Sequence, residues 1–579
     1  MSDVQDPIVS VVRKLKRRTN RYFHDYQEKL SGPATEKFLS GVLAEVEQAK
    51  TFPAWEAVLG RWNEVKAHIE THFELVQLAF QRFTENPEVE AEERRLREEV
   101  EPVYSIWNAK VREKFLASPE RKALEAKHGK QFFAQLQLAQ DAFDPKNVEL
   151  ETKLNKVLAD YTKLSGGACF EVEGKTYPLA HIKKFSSSPR PELRRDSYRS
   201  YSGWFLKNKP ALEAIYDEAV QYRDAMAKTL GHPDFIPLAY QKMRRLDYGP
   251  EDVRVFREEI REVMVPLAVK IRERQAKSLG LARMQAWDLD YFPEWKTGEL
   301  KVSIPQQTRA GLSVYQKLSP RLAEHFQRMI DWDLIDVPAR VGKAPGAFCT
   351  GFYDYRVPYI FLNSVGEAAD VTTLLHECGH AFQAWESRDI ELIELSHPTL
   401  EACEVHSMGM EFLAQPYYGE FFSEPDADAF RKKHLAESIL LLPYIAMVDE
   451  FQHRVYSGEA KGEAGRARAW EELENKYMPG IDFGDLQAWK RSRWIRQLHI
   501  FQVPFYYIDY AIAQVGAWQL WVQSLRDKEA ALDNYLSLCK LGGTLPLKEF
   551  FAAGKLLLPF QKGVLKGLMA EIERIEPLY

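Results

Sequence analysis

The sequence predicts a mainly α-helical protein with a small β-sheet next to one chemically distinctive helix. Over residues 7–164 and 191–281, apolar residues recur at three- and four-residue spacing among charged ones, as in helices that bury one face. The same pattern returns from residue 489 onwards, whereas β-prone runs are few and short. The chain has 579 residues and 45% hydrophobic content, which is enough for several domain-sized cores.

Two pairs of short β-prone runs predict the strands. Residues 168–172 and 175–179 are separated by a Glu-Gly turn and predict a hairpin. Residues 347–352 and 359–363 are separated by a turn-rich segment. They predict a small sheet just ahead of the distinctive helix.

A break in the helical pattern predicts a domain boundary. The sequence Ser165-Gly166-Gly167 has no helical periodicity and two residues that disfavour helix. We therefore predict an N-terminal helical domain of residues 1–165 and a second domain of residues 166–579.

Charge and cysteine content exclude several classes of protein. The formal net charge of −6 gives no reason to expect nucleic acid or an anionic membrane as partner. Five scattered cysteines contain no C-x-x-C pair, so a reduced, cytoplasmic compartment is the simplest interpretation. The first 26 residues are basic but lack the apolar region of a secretory signal. The longest apolar run, residues 439–448, contains Pro443 and is too short to span a bilayer.

The distinctive helix is predicted over residues 371–385 and contains His376-Glu377-x-x-His380. This H-E-x-x-H pattern is typical of zinc peptidases. Residues four apart lie on one helical face, so His376 and His380 can turn both imidazoles toward one ion. Glu377 lies one step round the helix, where it can reach a water on that ion and act as a general base. Two histidines on a helix can also be ordinary, partly buried residues.

The two residues inside the motif have predicted positions of their own. Cys378 lies roughly 200° from His376 at helical pitch, so its thiol should face away from the metal. Gly379 has no side chain and leaves room for a neighbouring backbone.

A catalytic zinc ion usually has three protein ligands and one open position. Extended motifs that place a Gly and a His three and six residues after His380 are excluded, because Gln383 and Glu386 stand there. The other common arrangement takes a Glu from a second helix. Glu404 lies 24 residues after His380, inside a helix predicted to start at Pro398 and to include residues 400–415.

Spacing alone leaves the third ligand open between two residues. Glu401 is one turn before Glu404 and is offset by about 60°, so helical geometry does not exclude it. His397 and His406 are further nearby donors. Glu411 lies two turns after Glu404 and about 20° off its direction. It is a candidate for orienting a ligand through a hydrogen bond.

Several segments together resemble one protein family. HECGHAFQAW followed by EVHSMGMEF is similar to the M3 family of zinc metallopeptidases, the thimet oligopeptidase and oligoendopeptidase F group. GKAPGAF and YIFLN resemble the strand segment ahead of the zinc helix in the oligoendopeptidase F branch. RDAMAKTLGHPDF and LDYGPEDVRVF resemble the family's upstream helices, and HIFQVPFYYIDYAIAQ resembles the C-terminal segment of Pz-peptidase-like members. The resemblance covers roughly residues 190–579.

The resemblance implies a fold, a cofactor and a substrate. The implied fold is a two-lobed, almost entirely helical bowl around a deep channel, with one Zn²⁺ per chain on its floor. The implied substrates are short oligopeptides, because folded proteins cannot enter such a channel. The E-x-x-S-M-x-x-E arrangement of residues 404–411 makes Glu404 the third zinc ligand, beside His376 and His380.

The C-terminal segment is the candidate source of a further catalytic group. His499, Tyr506 and Tyr510 are spaced by seven and four residues, which places them on one face if the helix is continuous, although Pro504 intervenes. Tyr507 lies one step away. Such aromatic residues are often simple core packing. The resemblance instead favours His499 and at least one tyrosine as stabilisers of the oxyanion.

The functional hypothesis is a zinc-dependent endopeptidase that hydrolyses short, unfolded oligopeptides with Glu377 as general base. Residues 346–350 are interpreted as a sheet edge that pairs with the substrate backbone, with simple sheet packing as the alternative. A rival hypothesis is an M32-like or dipeptidyl-type zinc carboxypeptidase, which needs a cationic group for the free C-terminus. A non-catalytic peptide-binding protein is a third hypothesis, against which the presence of Glu377 argues.

Overall fold

The computed structural model describes residues 7–12, 14–15, 30–296, 298 and 300–578, with only the backbone of Ala180 and Lys183. The part of the predicted helical run at residues 16–29 lies outside the described residues. None of the helices described combines the length and apolar character needed to cross a bilayer.

Helices dominate the described chain, as predicted. In the first half they are α1 (Gly32–Gln48), α2 (Phe52–Arg82), α3 (Pro87–Arg95), α4 (Glu101–Leu116), α5 (Arg121–His128), α6 (Lys130–Asp141), α7 (Val148–Gly166), α8 (Leu179–Ser186), α9 (Pro191–Thr229), α10 (Phe235–Lys242), α11 (Pro250–Glu259), α12 (Val265–Ser278), α13 (Ile304–Leu318) and α14 (Pro320–Asp331). In the second half they are α15 (Ala368–Ser387), α16 (Ile393–Ser396), α17 (Leu400–Leu413), α18 (Glu424–Tyr456), α19 (Gly462–Tyr477), α20 (Gln487–Lys490), α21 (Leu498–Gln502), α22 (Ile508–Arg526), α23 (Lys528–Leu541), α24 (Leu547–Ala553) and α25 (Val564–Ile575).

The described strands form two small sheets. They are β1 (Cys169–Val172), β2 (Lys175–Pro178), β3 (Ile335–Pro338), β4 (Phe348–Phe352) and β5 (Val357–Ser364). Strands β1 and β2 make the predicted hairpin, with Cys169 opposite Pro178 and Val172 opposite Lys175. Phe170 and Val172 are buried on one face of this hairpin. The mainly α fold class with small sheets is therefore confirmed.

The second sheet has the strand order β3-β5-β4. β4 and β5 are the two predicted strands and pair antiparallel, with Phe348 opposite Phe361. β5 is buried along most of its length because it lies between two strands and packs against α15. β3 runs parallel to β5. This strand was not predicted, because its sequence IDVP is short and contains residues that disfavour strands.

The described residues pack into two compact units, each built from three segments of the chain. The first unit comprises the described residues of Met1–Pro145, Glu299–Phe422 and Leu520–Leu556. The second comprises those of Lys146–Gly298, Ser423–Gln519 and Leu557–Tyr579. The predicted domain division at residues 165 and 166 stays a prediction.

Local signals explain where α15 begins. The Asp370 carboxylate accepts hydrogen bonds from the backbone N–H groups of Val365, Gly366 and Glu367, at 2.9, 2.7 and 3.0 Å. These bonds satisfy donors at the helix N-terminus, where the negative charge also complements the helix dipole.

Helix α17 begins at Leu400, with Thr399 as its N-cap in extended conformation. The prediction that Pro398 is the first helical residue was therefore wrong by two positions.

Candidate metal centre

The side chains of His376, His380 and Glu404 converge in the first unit. The Glu404 Oε2 atom lies 3.2 Å from His376 Nε2 and 3.6 Å from His380 Nε2. One potential ligand atom from each residue lies within 4.8 Å of the other two. Among the described residues, no other group of three His, Cys, Asp or Glu side chains meets this spacing.

Helix α15 supplies both histidines, and α17 supplies the carboxylate, so the packing of these two helices sets the geometry. They meet at Gly379, where a Cβ atom would stand 2.5 Å from the His406 carbonyl oxygen and 2.5 Å from Ser407 Cα. No side chain fits at that distance. The predicted close backbone approach at Gly379 is confirmed, and this contact fixes the position of α17 against α15.

Hydrogen bonds orient two of the three converging side chains. The His376 Nδ1 atom lies 2.7 Å from Glu411 Oε1, so Nδ1 carries a proton and Nε2 is the ring atom left to ligate a metal. The Ser407 hydroxyl donates to Glu404 Oε2 at 2.8 Å. The Tyr418 hydroxyl donates to the carbonyl oxygen of Glu411 at 2.9 Å and holds that end of α17. Glu411 thus lies where the sequence analysis expected an orienting partner.

The electrostatics of the cluster favour a positive charge between the helices. Burial acts to lower the pKa of His376, but the hydrogen bonds to Glu404 and Glu411 raise it well above its ordinary value. Burial lowers the pKa of His380 to about 4, so this imidazole is neutral at pH 7, as a metal ligand must be. Burial raises the pKa of Glu377 to about 7, which is the range of a general base that must also release its proton.

The spacing of the donor atoms fits a tetrahedral metal ion. Two ligands at the usual zinc bond lengths of about 2.0–2.1 Å are about 3.3 Å apart in a tetrahedral site. The two nitrogen-to-oxygen distances at Glu404, 3.2 and 3.6 Å, bracket that value. Two imidazoles and one carboxylate are also a donor set that suits zinc.

The alternative donors lie elsewhere. Glu401 is buried on the same helix but is not part of the His376–His380–Glu404 cluster. His397 Nδ1 lies 3.3 Å from the Cys403 sulfur. His406 is fully buried, with its ring against those of Tyr535 and Phe550.

The thiol of Cys378 is buried and interacts with the hydroxyl of Tyr315. Tyr315 belongs to α13 and packs edge-on against Phe382 of α15. Cys378 is not part of the His376–His380–Glu404 cluster, in line with the expectation that its thiol faces away from the metal.

The predicted aromatic cluster forms in the second unit, but not on a continuous helix. α21 ends at Gln502 and α22 begins at Ile508, because Pro504 interrupts the helix. The ring of His499 nevertheless lies 6.0 Å from that of Tyr506, 4.6 Å from that of Tyr507 and 6.0 Å from that of Tyr510. The continuous helix that a single helical face required does not form between Gln502 and Ile508, but the four side chains do lie together.

A strained backbone turn brings these side chains together. Phe505 has φ +68°, which bulky residues rarely adopt and which costs about 1–3 kcal/mol. Its N–H donates to Gln452 Oε1 at 2.9 Å, and its carbonyl oxygen accepts from Arg245 at 2.6 Å. The same guanidinium donates to Asp509 at 2.6 Å, in the first turn of α22. The side chains of Arg245 and Asp509 are fully buried. Hydrogen bonds with Gln452 and Arg245 thus hold both the N–H and the carbonyl oxygen of Phe505 in place.

Gln497 is a partner that the sequence analysis missed. Its amide oxygen accepts from the Tyr444 hydroxyl at 2.9 Å, so its amide nitrogen faces His499 Nδ1 at 2.7 Å. Nδ1 therefore accepts, and Nε2 of His499 carries the proton and is a donor. Burial raises the pKa of Tyr507, so its hydroxyl also stays a donor at neutral pH. No sequence motif marks Gln497.

The edge strand β4 is held by α2 within the first unit. The Thr350 hydroxyl donates to Glu74, and the Asp354 N–H donates to the Thr71 hydroxyl at 3.1 Å. His68 lies 3.5 Å from the Asp354 carboxylate. β4 borders β5 on one side only, and most of its residues are partly exposed. α2 therefore fixes the position of the outer strand β4, whose second edge is not paired with another described strand.

The protein is mainly helical, carries H-E-x-x-H on one helix and brings together three side chains that could hold a metal ion. The model of peptidase family M3 matches residues 184–570, and the model of the peptidase M3 N-terminal domain matches residues 24–143. The first match covers more than half of the chain. The protein therefore belongs to peptidase family M3.

Curated relatives carry oligopeptidase names. Oligopeptidase PepF from Bacillus subtilis (strain 168) is 24% identical over 354 residues, which are 58% of this chain and 52% of the relative. Oligoendopeptidase F, chromosomal, from Lactococcus lactis subsp. cremoris is 23% identical over 369 residues, 60% of this chain and 59% of the relative. The match thus spans little more than half the length of these curated relatives.

Solved structures match over nearly the whole chain. Pz peptidase A with inhibitor 2 is 34% identical with a TM-score of 0.91, covering 96% of this chain and 99% of that one. Oligoendopeptidase-F from Enterococcus faecium has 13% identity and a TM-score of 0.63, covering 94% of this chain and 98% of that one. The second similarity concerns the fold alone.

Proposed function

We propose that the protein is a zinc-dependent endopeptidase that hydrolyses short, unfolded oligopeptides. The observation that carries the proposal is the convergence of His376, His380 and Glu404 beside Glu377. Membership of peptidase family M3 and the oligopeptidase names of the relatives support it. His376, His380 and Glu404 would hold one Zn²⁺.

The zinc ion would supply Lewis acidity, acidifying a water molecule and polarising the carbonyl of the scissile bond. Glu377 takes the proton of the attacking water and later delivers it to the leaving amine. Its burial suits the first step, because desolvation raises the pKa of the carboxyl and makes it a better proton acceptor. Glu411 keeps His376 in the tautomer that ligates through Nε2.

The edge strand β4 is the proposed binding surface for the substrate backbone. An extended peptide can add to an exposed edge through main-chain hydrogen bonds, which tolerate many side chains. Residues 348–350 belong to this edge, and residues 346–347 precede it. Contacts with α2 support the role, since they keep the edge in place.

His499 and the tyrosines are the proposed stabilisers of the oxyanion. We expect Tyr→Phe at position 506, 507 or 510 to lower kcat by roughly 10²–10³-fold for the residue that donates to the oxyanion. Metal content should stay unchanged, because the cluster includes none of these residues. Steady-state kinetics and zinc analysis of each variant test the role. Wild-type kcat in all three Phe variants and in His499→Ala would make the segment structural.

Substrate length provides the main test of the proposed function. We expect the zinc-loaded protein to cut peptides of about ten residues, including end-blocked ones, and to leave native serum albumin intact, because the implied channel admits only short chains. Mass spectrometry of a peptide library of graded length measures this, and chelation should abolish cleavage. An enzyme that cuts only free-ended peptides would be a carboxypeptidase. Efficient cleavage of native albumin would contradict the enclosed channel.

A cytoplasmic location is part of the proposal. None of the five cysteines, all of which lie in the described part of the chain, forms a disulfide. Unpaired thiols are typical of compartments that keep cysteine reduced.

A further inference from the structure

Arg496 is an exposed cation that lies close to the aromatic cluster of the second unit. No carboxylate of the described residues lies within 4 Å of its guanidinium. Neighbouring arginines differ: Arg493 pairs with Glu474 at 2.8 Å, and Arg491 pairs with Glu471 at 3.0 Å. The charge of Arg496 is thus accessible to a ligand.

The surroundings of Arg496 are aromatic and polar but neutral. Its guanidinium interacts with the Tyr201 hydroxyl and lies 5.4 Å from the centre of the Tyr444 ring. Tyr198 and Tyr507 are also close enough to interact with its charge. A guanidinium held by aromatic rings loses little entropy when it binds an anion, because its position is already restricted.

Arg496 is also linked to the proposed oxyanion donors. The ring centres of Tyr444 and Tyr507 lie 6.1 Å apart. The Tyr444 hydroxyl donates to the amide oxygen of Gln497, and the amide nitrogen of Gln497 faces His499 Nδ1. These contacts all lie within the second unit. A ligand group bound by Arg496 therefore lies beside the residues that we expect to act on the substrate.

We propose that Arg496 binds a carboxylate of the peptide substrate. This inference rests on the proposed peptidase function and adds a binding site to it. Arginine presents several N–H donors in a fixed plane that matches a carboxylate, and the Tyr201 hydroxyl can contribute a further donor. The group bound is either the C-terminal carboxylate of a short peptide or an acidic side chain. The first source would link substrate choice to the distance between the scissile bond and the C-terminus.

Binding of matched peptides tests the inference without requiring turnover. The zinc-loaded Glu377→Gln protein, otherwise full-length and unchanged, is titrated by calorimetry with two pairs of six-residue peptides. One pair has no acidic side chain and differs in a free or amidated C-terminus. The other pair is amidated and differs in one Asp or Asn. We expect one carboxylate peptide to bind about 10- to 100-fold more tightly than its neutral partner, as for hydrogen bonds to charged groups.

Adding Arg496→Gln should remove that preference, whereas Arg496→Lys should retain part of it. Arg491→Gln is the matched control, because Arg491 is exposed in the same segment but already paired, and it should keep the full preference. The pair that responds identifies the carboxylate. Equal binding within both pairs, no detectable binding at millimolar concentration, or a preference that survives Arg496→Gln would overturn the inference. Preserved binding preference with no cleavage by the wild-type protein would instead overturn the proposed function alone.

Discussion

Replacing Glu404 with alanine is expected to remove zinc from the purified protein and to abolish peptide hydrolysis. Glu404 is the single carboxylate of the cluster, and its Oε2 atom is the one that lies near both imidazoles. Without it, two neutral histidines would have to hold a divalent cation alone. Loss of a partner that merely orients a ligand weakens metal binding by roughly 10–100-fold, and loss of a ligand should cost more. Metal analysis after dialysis measures the effect.

Glu401→Ala is the matched control for this experiment. Glu401 is buried on α17, one turn before Glu404, so both substitutions remove a buried carboxylate from the same helix. We expect the Glu401 variant to keep close to one equivalent of zinc. The proposed ligand set would be refuted if Glu404→Ala kept its zinc and Glu401→Ala lost it.

Glu377→Gln is expected to keep the metal and to lose most of the activity. The amide has nearly the shape of the carboxyl but can neither accept nor return the proton. General acid–base catalysis contributes roughly 10²–10⁴-fold, and we expect kcat to fall by that factor. Kinetics with an end-blocked peptide, together with zinc analysis and circular dichroism, check the result.

Cys378→Ala tests whether disturbance of α15 alone explains such a loss. Cys378 follows Glu377 directly, is also buried in the helix and faces Tyr315 rather than the cluster. Its removal should change kcat only a few-fold. Glu377→Gln with wild-type kcat would exclude Glu377 as the general base.

The local chemistry of the site could be predicted from the sequence because it depends on positions within one helix. Residues four apart share a face, so His376 and His380 follow from spacing alone. The space required at Gly379 follows from the absence of a side chain. The choice between Glu404 and Glu401 could not be made in this way, since it depends on how α17 lies against α15. The contact of Gly379 with Ser407 sets that register.

Contacts between distant segments were beyond sequence reasoning. The turn at Phe505 depends on Gln452 and Arg245, which lie 53 and 260 residues away along the chain. The pattern of residues 499–510 cannot reveal these partners, so the sequence could not decide whether the helix continues past Pro504. The lack of a carboxylate beside Arg496 among the described residues could not be predicted either, because a sequence does not show which arginines form ion pairs.

The discontinuous construction of the first unit has a consequence for biosynthesis. α23 belongs to its last segment, and the Tyr535 hydroxyl donates to the carbonyl oxygen of His406 on α17 at 3.0 Å. The ribosome must first make residues 423–519, which takes roughly 5–20 s at usual elongation rates. During that time α17 has been synthesised without one of its packing partners. The nascent chain thus completes the first unit only after residues 520–556 have been made, and under the proposed function zinc insertion is expected to follow that step.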